Sequence, residues 1–520
     1  MNDEGKSPMS RREFCRLVTA GTAGMVLASQ TGLAEEVSAA NPKPNILLLM
    51  VDQFRADCLG ADGNKVIKTP NLDRIAREGA HFPHAYSTTP TCTPARAALL
   101  TGLSPWHHGM IGYGRIAEKY PFELPRALND AGYYTFVIGK CHYSPQRNLH
   151  GFQGGLLDES GRVWSPDFIS DYRKWFKEKA PTLNPDATGI GWNDYRSAVY
   201  ALPEELHPTR WTGDKAAEFI EKYDRNEPFM LKVSFARPHS PYDPPKRFWD
   251  MYKDKDMPEP HIGKWASKFA KGDPKNYTSW HGDLGIAQAR KSRHGYYGSI
   301  TFIDEEIGKI LKALEDKGQL DNTLILVIAD HGDMMGDHHH WRKSYPYEGS
   351  ARIPMLMRWP KSIQAKRGVH LEQPVEIRDV LPTFLDAAGA PNPGNLDGKS
   401  MLDLVRGKCD GWREYIDLEH DVCYAPENHW CALTDGHWKY IYSAFDGSQQ
   451  LFNLDDDPGE LNDLAQDPAY ARTLNFWRRR LVKHLSERGE PFVVNGDLGI
   501  HPKKDIYSPF FPGTKDAERT

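Results

Sequence analysis

Cysteine is scarce in this sequence. Seven residues, Cys15, Cys58, Cys92, Cys141, Cys409, Cys423 and Cys431, are spread over 520 positions. No two of them have the spacing of a cysteine-built metal site. Cys423 and Cys431 are near enough in sequence to pair, and sequence alone leaves that pairing undecided. An excess of charge is missing too: 65 Lys and Arg face 70 Asp and Glu, for a net charge of −5. Binders of nucleic acid or acidic membranes carry a basic surplus, so neither partner is expected. Beyond the first forty residues no apolar run is long enough to cross a bilayer.

What is present is an ordinary globular composition, with room for one large α/β domain and a smaller one. The 14 Trp and 23 Tyr suit sugar-binding clefts and plain cores equally well. Ser10-Arg11-Arg12-Glu13-Phe14 precedes a mild apolar run from Leu17 to Leu27, then small residues at Gly32, Ala34, Ser38 and Ala40. This layout resembles a twin-arginine signal peptide over residues 1–40. It implies the twin-arginine export machinery as a partner and a periplasmic location. That route carries folded proteins, so modification in the cytoplasm can come first.

Four short apolar runs each end in polar residues. Asn45–Val51 leads into Asp52-Gln53, and Tyr133–Ile138 into Gly139-Lys140-Cys141-His142. Phe229–Phe235 leads to Arg237-Pro238-His239, and Leu324–Ala329 into Asp330-His331-Gly332-Asp333. Continuous apolar runs of this length read as strands buried on both faces of a parallel sheet. In such sheets ligands bind beyond the carboxyl ends of the strands, so these polar groups are expected to converge. The expected fold is a large, mixed, mostly parallel sheet flanked by helices.

Tyr296–Lys317 reads as an amphipathic helix with Ile300, Ile303, Ile307, Ile310, Leu311 and Leu314 on its core face, and Asp304, Glu305, Lys309 and Lys312 mostly solvated. Residues 151–210 and 243–290 lack clean periodicity and read as insertions beside the site. A boundary near residue 410 separates residues 41–410 from a smaller α+β domain over 411–520. In it, Trp438–Tyr442 and Gln450–Leu454 read as antiparallel strands joined through Asp446-Gly447. A helix near Leu474–Leu485 is expected to pack on them.

Cys92 opens the segment Cys92-Thr93-Pro94-Ala95-Arg96. Thr93 suits a cap, Pro94 the first helical position, and Ala95–Leu100 a helix. A thiol at a helix N-terminus meets free backbone N–H groups and has a lowered pKa.

The Cys-x-Pro-x-Arg pattern resembles the signature of the type I sulfatases of the alkaline-phosphatase superfamily. The Asp52 strand end, Thr69–Gly79, Lys140-x-His142, Pro238-His239-x-Pro241, Asp330-His331-Gly332-Asp333 and Lys343 follow that family's order. The resemblance implies oxidation of Cys92 to formylglycine (3-oxoalanine) by a maturing enzyme that reads Thr93, Pro94 and Arg96. It implies a divalent cation, Ca²⁺ expected and Mg²⁺ the alternative, held by Asp52, Gln53, residue 92, Asp330 and His331. Oxygen-rich ligands suit such hard cations. The consecutive His338, His339 and His340 cannot share one helix face as zinc ligands; one of them is expected to line the pocket.

The same resemblance gives Arg96 the role of anchoring the nucleophile. Lys140, His239 and Lys343 bind the sulfate and leaving-group oxygens, and His142 takes a proton from the hydrate. His107 is a further candidate substrate contact. The implied substrate is a sulfate monoester on a small molecule or oligosaccharide. Gln53 stands where the family pattern has a second Asp, which keeps a phosphonate monoester or phosphodiester hydrolase open as the alternative. A binding protein that has lost catalysis is a third reading.

Overall fold

Three stretches of this chain have no solvated face at all, and they form the middle of the main sheet. The computed structural model describes residues 43–514; the signal-like residues 1–40 lie outside them. In chain order the strands are β1 (Asn45–Asp52), β2 (Ala80–His81), β3 (Ala85–Tyr86), β4 (Tyr134–Gly139), β5 (Gly154–Leu157), β6 (Phe229–Pro238), β7 (Thr323–Ala329), β8 (Met355–Arg358), β9 (Val369–His370) and β10 (Val375–Glu376). Every residue of β1, β6 and β7 is buried. Eight strands form one sheet in the order β5-β4-β6-β1-β7-β8-β2-β9, while β3 and β10 pair separately.

The pairs from β5 through β7 are all parallel, and β8 runs antiparallel to β7. The sheet is therefore mixed and mostly parallel, as the four apolar runs indicated. Leu47 pairs with both Leu231 and Ile325, and Val51 with both Phe235 and Ala329. This register brings the carboxyl ends of β6, β1 and β7 level. Between Val51 and Asp52 the register with β6 shifts, so that Asp52 pairs with Pro238. The shift brings the His239 N–H to the Asp52 carbonyl at 3.2 Å.

The long helix is Ile286–Asp316, ten residues longer at its start than the periodicity predicts. Its six expected Ile and Leu residues are buried, each contributing roughly 2 kcal/mol of transfer free energy. Asp304, expected in solvent, is buried as well. Its carboxylate accepts the backbone N–H groups of Asn71 and Leu72 at 3.1 and 2.8 Å, capping the Pro70–Arg77 helix. The Thr69 side chain makes no such cap.

The C-terminal region carries an antiparallel meander of β11 (Ile416–His420), β12 (Trp430–Thr434), β13 (Trp438–Ser443) and β14 (Gln449–Asn453). The Ala471–Leu485 helix lays Trp477, Leu481 and Leu485 against Leu433, Tyr440 and Leu451 of this sheet. The other edge faces the main domain, where Glu419 N–H donates to the Thr88 carbonyl at 2.9 Å. The last described residues return to the main core through Ile506, Tyr507 and Phe511. Cys423 and Cys431 are not bonded to each other.

Candidate active site

Cys92 is the first residue of a helix, Cys92–Thr101, that is buried throughout. The helix begins one residue before the expected Thr93 cap, so Cys92 belongs to its first turn. Two braces hold this entry. Thr91 Oγ1 lies 2.5 Å from His420 Nε2 of β11. One turn on, Arg96 makes a paired contact with Asp330 Oδ2 through Nε and Nη2, at 3.2 and 2.8 Å. Arg96 Nη1 also donates to the Lys140 carbonyl at 2.8 Å. Arg96 and Asp330 are both fully buried, and losing one partner of such a pair costs about 3–5 kcal/mol.

The four strand ends converge on this helix start. Asp52 closes β1, and Gln53 follows with φ 64°. Gly139 closes β4 at φ 97°, where a Cβ would stand 2.0 Å from the Ser234 carbonyl. Only glycine fits there, and it turns the chain so that Lys140 reaches inward. Lys140 Nζ bonds Asp52 Oδ2 and stands 3.7 Å from Cys92 Sγ. Asp330 and His331 follow β7, and His331 Nε2 stands 3.1 Å from Cys92 Sγ. His239 follows β6, its Nε2 2.9 Å from Lys343 Nζ. Lys343 also donates to Gln53 Oε1 at 2.7 Å.

Two imidazole tautomers are fixed by backbone carbonyls, which only accept. His331 Nδ1 is 2.8 Å from the Gly332 carbonyl, and His239 Nδ1 is 3.1 Å from that of Ser240. Each Nδ1 therefore carries a proton and each ring turns Nε2 to the site. For His331, burial is outweighed by the Asp330 and Cys92 charges, which hold the imidazole above the usual histidine range. His142 has φ 60°, and the Glu159 carboxylate holds that turn by accepting the Cys141 and His142 N–H groups at 2.8 and 3.0 Å. Both ring nitrogens of His142 are buried without a partner.

Charge is arranged to suit an anion. Burial opposes ionisation of the Cys92 thiol, but the Lys140 and Lys343 ammoniums outweigh it and bring the thiol down to about 7. Burial, reinforced by Lys140, Arg162 and Arg96, pushes His142 well below the usual histidine range. Burial likewise lowers His239, with Lys343 adding to the effect, and burial lowers the Lys343 ammonium. Both imidazoles are thus neutral near pH 7, and Lys343 is a stronger acid than an exposed lysine.

With an oxygen in place of the Cys92 sulfur, the donor set fits a hard divalent cation. Single ligand atoms of Asp52, Cys92, Asp330 and His331 lie within 4.8 Å of one another. The tautomer of His331 is the one a metal ligand needs. Gln53 is fixed beside it: its Nε2 donates to Asp333 Oδ2 at 2.5 Å, while its Oε1 accepts from Lys343. Sequence reasoning left Asp333 and Glu159 unassigned. The spacing Asp330-x-x-Asp333 was a usable signal for the first; Glu159, in an aperiodic insertion, gave none.

A cavity of about 320 Å³ opens over Cys92, walled by Tyr113, Arg162, Trp164, Trp192, Asn193 and Tyr424 among others. Four of these residues come from the 151–210 insertion. His107 is not among its lining residues. Its Nδ1 pairs with Asp397 Oδ2 at 2.7 Å and its Nε2 faces Glu487 at 3.6 Å, so it braces the fold. None of His338, His339 and His340 lines this cavity either. His340 faces a separate aromatic cavity of about 550 Å³, and His338 stacks near Trp265.

A mixed, mostly parallel sheet whose strand ends gather candidate cation donors, two lysines and a helix-start cysteine suits a hydrolase of the alkaline-phosphatase type. The family model described as Sulfatase matches residues 44–390, and that of the N-sulphoglucosamine sulphohydrolase C-terminal region matches residues 336–487. An arylsulfatase of Clostridium perfringens (strain 13 / Type A) is 40% identical over 471 residues, covering 88% of this chain and 97% of that protein. An N-acetylglucosamine-6-O-sulfatase of Bacteroides thetaiotaomicron is 27% identical over 540 residues, covering 88% and 89%. The phosphonate monoester hydrolase of Agrobacterium radiobacter shares the fold, with a TM-score of 0.72 at 24% identity over 88% of this chain and 99% of that one. The chain belongs to the sulfatase family and is a sulfuric ester hydrolase.

Proposed function

We propose that this enzyme cleaves a sulfate monoester on a carbohydrate, with Cys92 oxidised to formylglycine, Ca²⁺ at the Asp52–Gln53–Asp330–His331 site, and export to the periplasm by the twin-arginine route. One observation carries the reading: residue 92 stands where the cation donors and the two lysines meet. When present, the cation supplies a Lewis-acid charge and the hydrated aldehyde a nucleophilic oxygen. The rest is done by this chain's own side chains. Arg96 and Lys140 hold the two carboxylates in place, and Lys140 faces residue 92. Lys343 faces the leaving alcohol. Since His239 Nε2 carries no proton, Lys343 is the group that can donate one to the departing oxygen. His142, neutral and unpartnered, is free to accept a proton beside residue 92.

The carbohydrate assignment is supported by the aromatic wall that the 151–210 insertion adds to the cavity. It is supported also by relatives named an N-acetylglucosamine-6-O-sulfatase and an ulvan-active sulfatase. Ca²⁺, which accepts oxygen ligands in a less rigid geometry than Mg²⁺, is the cation proposed for this site. A phosphonate monoester hydrolase is the second reading, favoured by the neutral Gln53. Side-by-side rates on sulfate and phosphonate monoesters separate the two.

The test is peptide mass at position 92 after co-production with a sulfatase-maturing enzyme. The expected mass is that of thiol replaced by aldehyde, with activity on 4-nitrophenyl sulfate abolished in Cys92→Ala. Unmodified thiol in an active enzyme, or turnover unchanged by Cys92→Ala, would sink the mechanism.

A further inference from the structure

Arg162 is a cation without a counterion. It is buried at 6% exposure, and no carboxylate lies within ion-pair distance of it among the described residues. Its Nη2 has one neighbour, His239 Nε2 at 3.4 Å. Its Nη1 is buried with no hydrogen-bond partner. The guanidinium lies over the Trp192 ring, 4.3 Å from the centroid, and both residues line the Cys92 cavity. A buried, unpaired guanidinium is costly unless something else pairs with it.

The reaction centre does not account for it. Arg96 is matched by Asp330 and Lys140 by Asp52. Lys343, between Gln53 and His239, is on hand for the sulfate monoester, which brings a single negative charge. Arg162 stands next to His239 in the cavity wall that Trp164, Trp192 and Asn193 also line. The buried Asn193 Oδ1 beside it is also unpartnered, an acceptor suited to a hydroxyl.

We propose that Arg162 receives a second anionic group, a carboxylate or a second sulfate, carried by the alcohol half of the substrate close to the scissile ester. Trp192 backs the guanidinium and Asn193 takes a neighbouring hydroxyl. The planar fork of an arginine pairs with either oxyanion through two N–H groups. This inference rests on the sulfatase reading above and narrows it: the preferred sugar carries two negative charges, and an alcohol bearing a fixed positive charge is disfavoured.

The test reads binding, so it does not depend on maturation. Calorimetry on folded Cys92→Ala protein compares N-acetylglucosamine 6-sulfate with two doubly anionic sugars, glucosamine 2-N,6-O-disulfate and a uronic acid 2-sulfate. At least one doubly anionic sugar should bind roughly tenfold to a hundredfold tighter, the range for a hydrogen bond to a charged group. The arm that gains identifies the second anion as sulfate or carboxylate. Adding Arg162→Gln should erase that gain, and Arg162→Lys should keep part of it, with an unchanged melting temperature showing both variants folded. Equal binding of all three sugars, or a gain that survives Arg162→Gln, overturns the assignment. Failure of the matured wild type to cleave 4-nitrophenyl sulfate is a separate outcome, and it strikes the sulfatase reading instead.

Discussion

Gln53 marks the point at which this site departs most clearly from the family pattern. A second aspartate there would face Asp333, whose Oδ2 already accepts from Gln53 Nε2 and from Tyr242 Oη at 2.7 Å. Gln53→Asp would remove a donor and set two buried carboxylates against each other. We expect a loss of more than tenfold in kcat/KM on 4-nitrophenyl sulfate, partly restored in Gln53→Asp/Asp333→Asn. A double-mutant cycle reads this coupling directly, and additive losses would mean that the two side chains act independently. The residues at strand ends were legible in the sequence because a buried apolar run followed by a carboxylate or lysine has few structural explanations. His107 was not: its partner Asp397 lies 290 positions away, and a histidine beside a tryptophan looks the same whether it meets a substrate or an aspartate. Arg162 was hidden for a related reason, since nothing local in residues 151–210 says which side chains turn inward.

Among the helices, Asp304 shows how periodicity can be read too narrowly. Positions 300, 303, 307, 310, 311 and 314 define a stripe, and 304 lies inside it, four after 300 and three before 307. Its charge suggested solvent; its place on the stripe argued for burial, and the two backbone donors of the Pro70–Arg77 helix decide the matter. Burial raises its carboxyl to about 7, with the Leu72 and Asn71 N–H groups opposing. The folded value lies above the unfolded one, so the contribution to stability is fully present below about pH 4 and is lost as pH rises toward 7. A displacement from 3.8 to about 7 sets a ceiling of about 4 kcal/mol. Denaturant unfolding of wild type and Asp304→Asn from pH 4 to pH 7 should show the wild type losing stability relative to the variant as pH rises. A difference that stays flat would mean that the carboxylate is ionised in the folded state throughout.

Over the whole molecule, the small C-terminal sheet and the main sheet are fastened together on both sides of Cys92. β11 reaches Thr88 and Thr91 just before Cys92. The terminal segment grips residues 106–115 just after its helix. Ser508 bonds the Gly109 and Trp106 carbonyls at 2.9 and 2.5 Å, and the Ile111 N–H donates to the Ile506 carbonyl at 3.1 Å. A Cβ at Gly109 would meet Phe511 Cα at 2.3 Å, so the tail is packed backbone against backbone there. No periodicity announces this in residues 499–514; the segment gains its place from side chains far away in sequence. Burying Ile506, Tyr507 and Phe511 contributes on the order of 5 kcal/mol, comparable to the whole stability of many domains. Ending the chain after Leu498 should therefore lower the melting temperature by several degrees. It should also lower kcat/KM, because Tyr113 of the cavity wall lies within the strip that the tail holds. Ile506→Ala/Phe511→Ala in the full chain should reproduce part of both effects. A truncated protein that melts within a degree of the full chain and keeps its rate would show that β11 alone positions the Cys92–Thr101 helix.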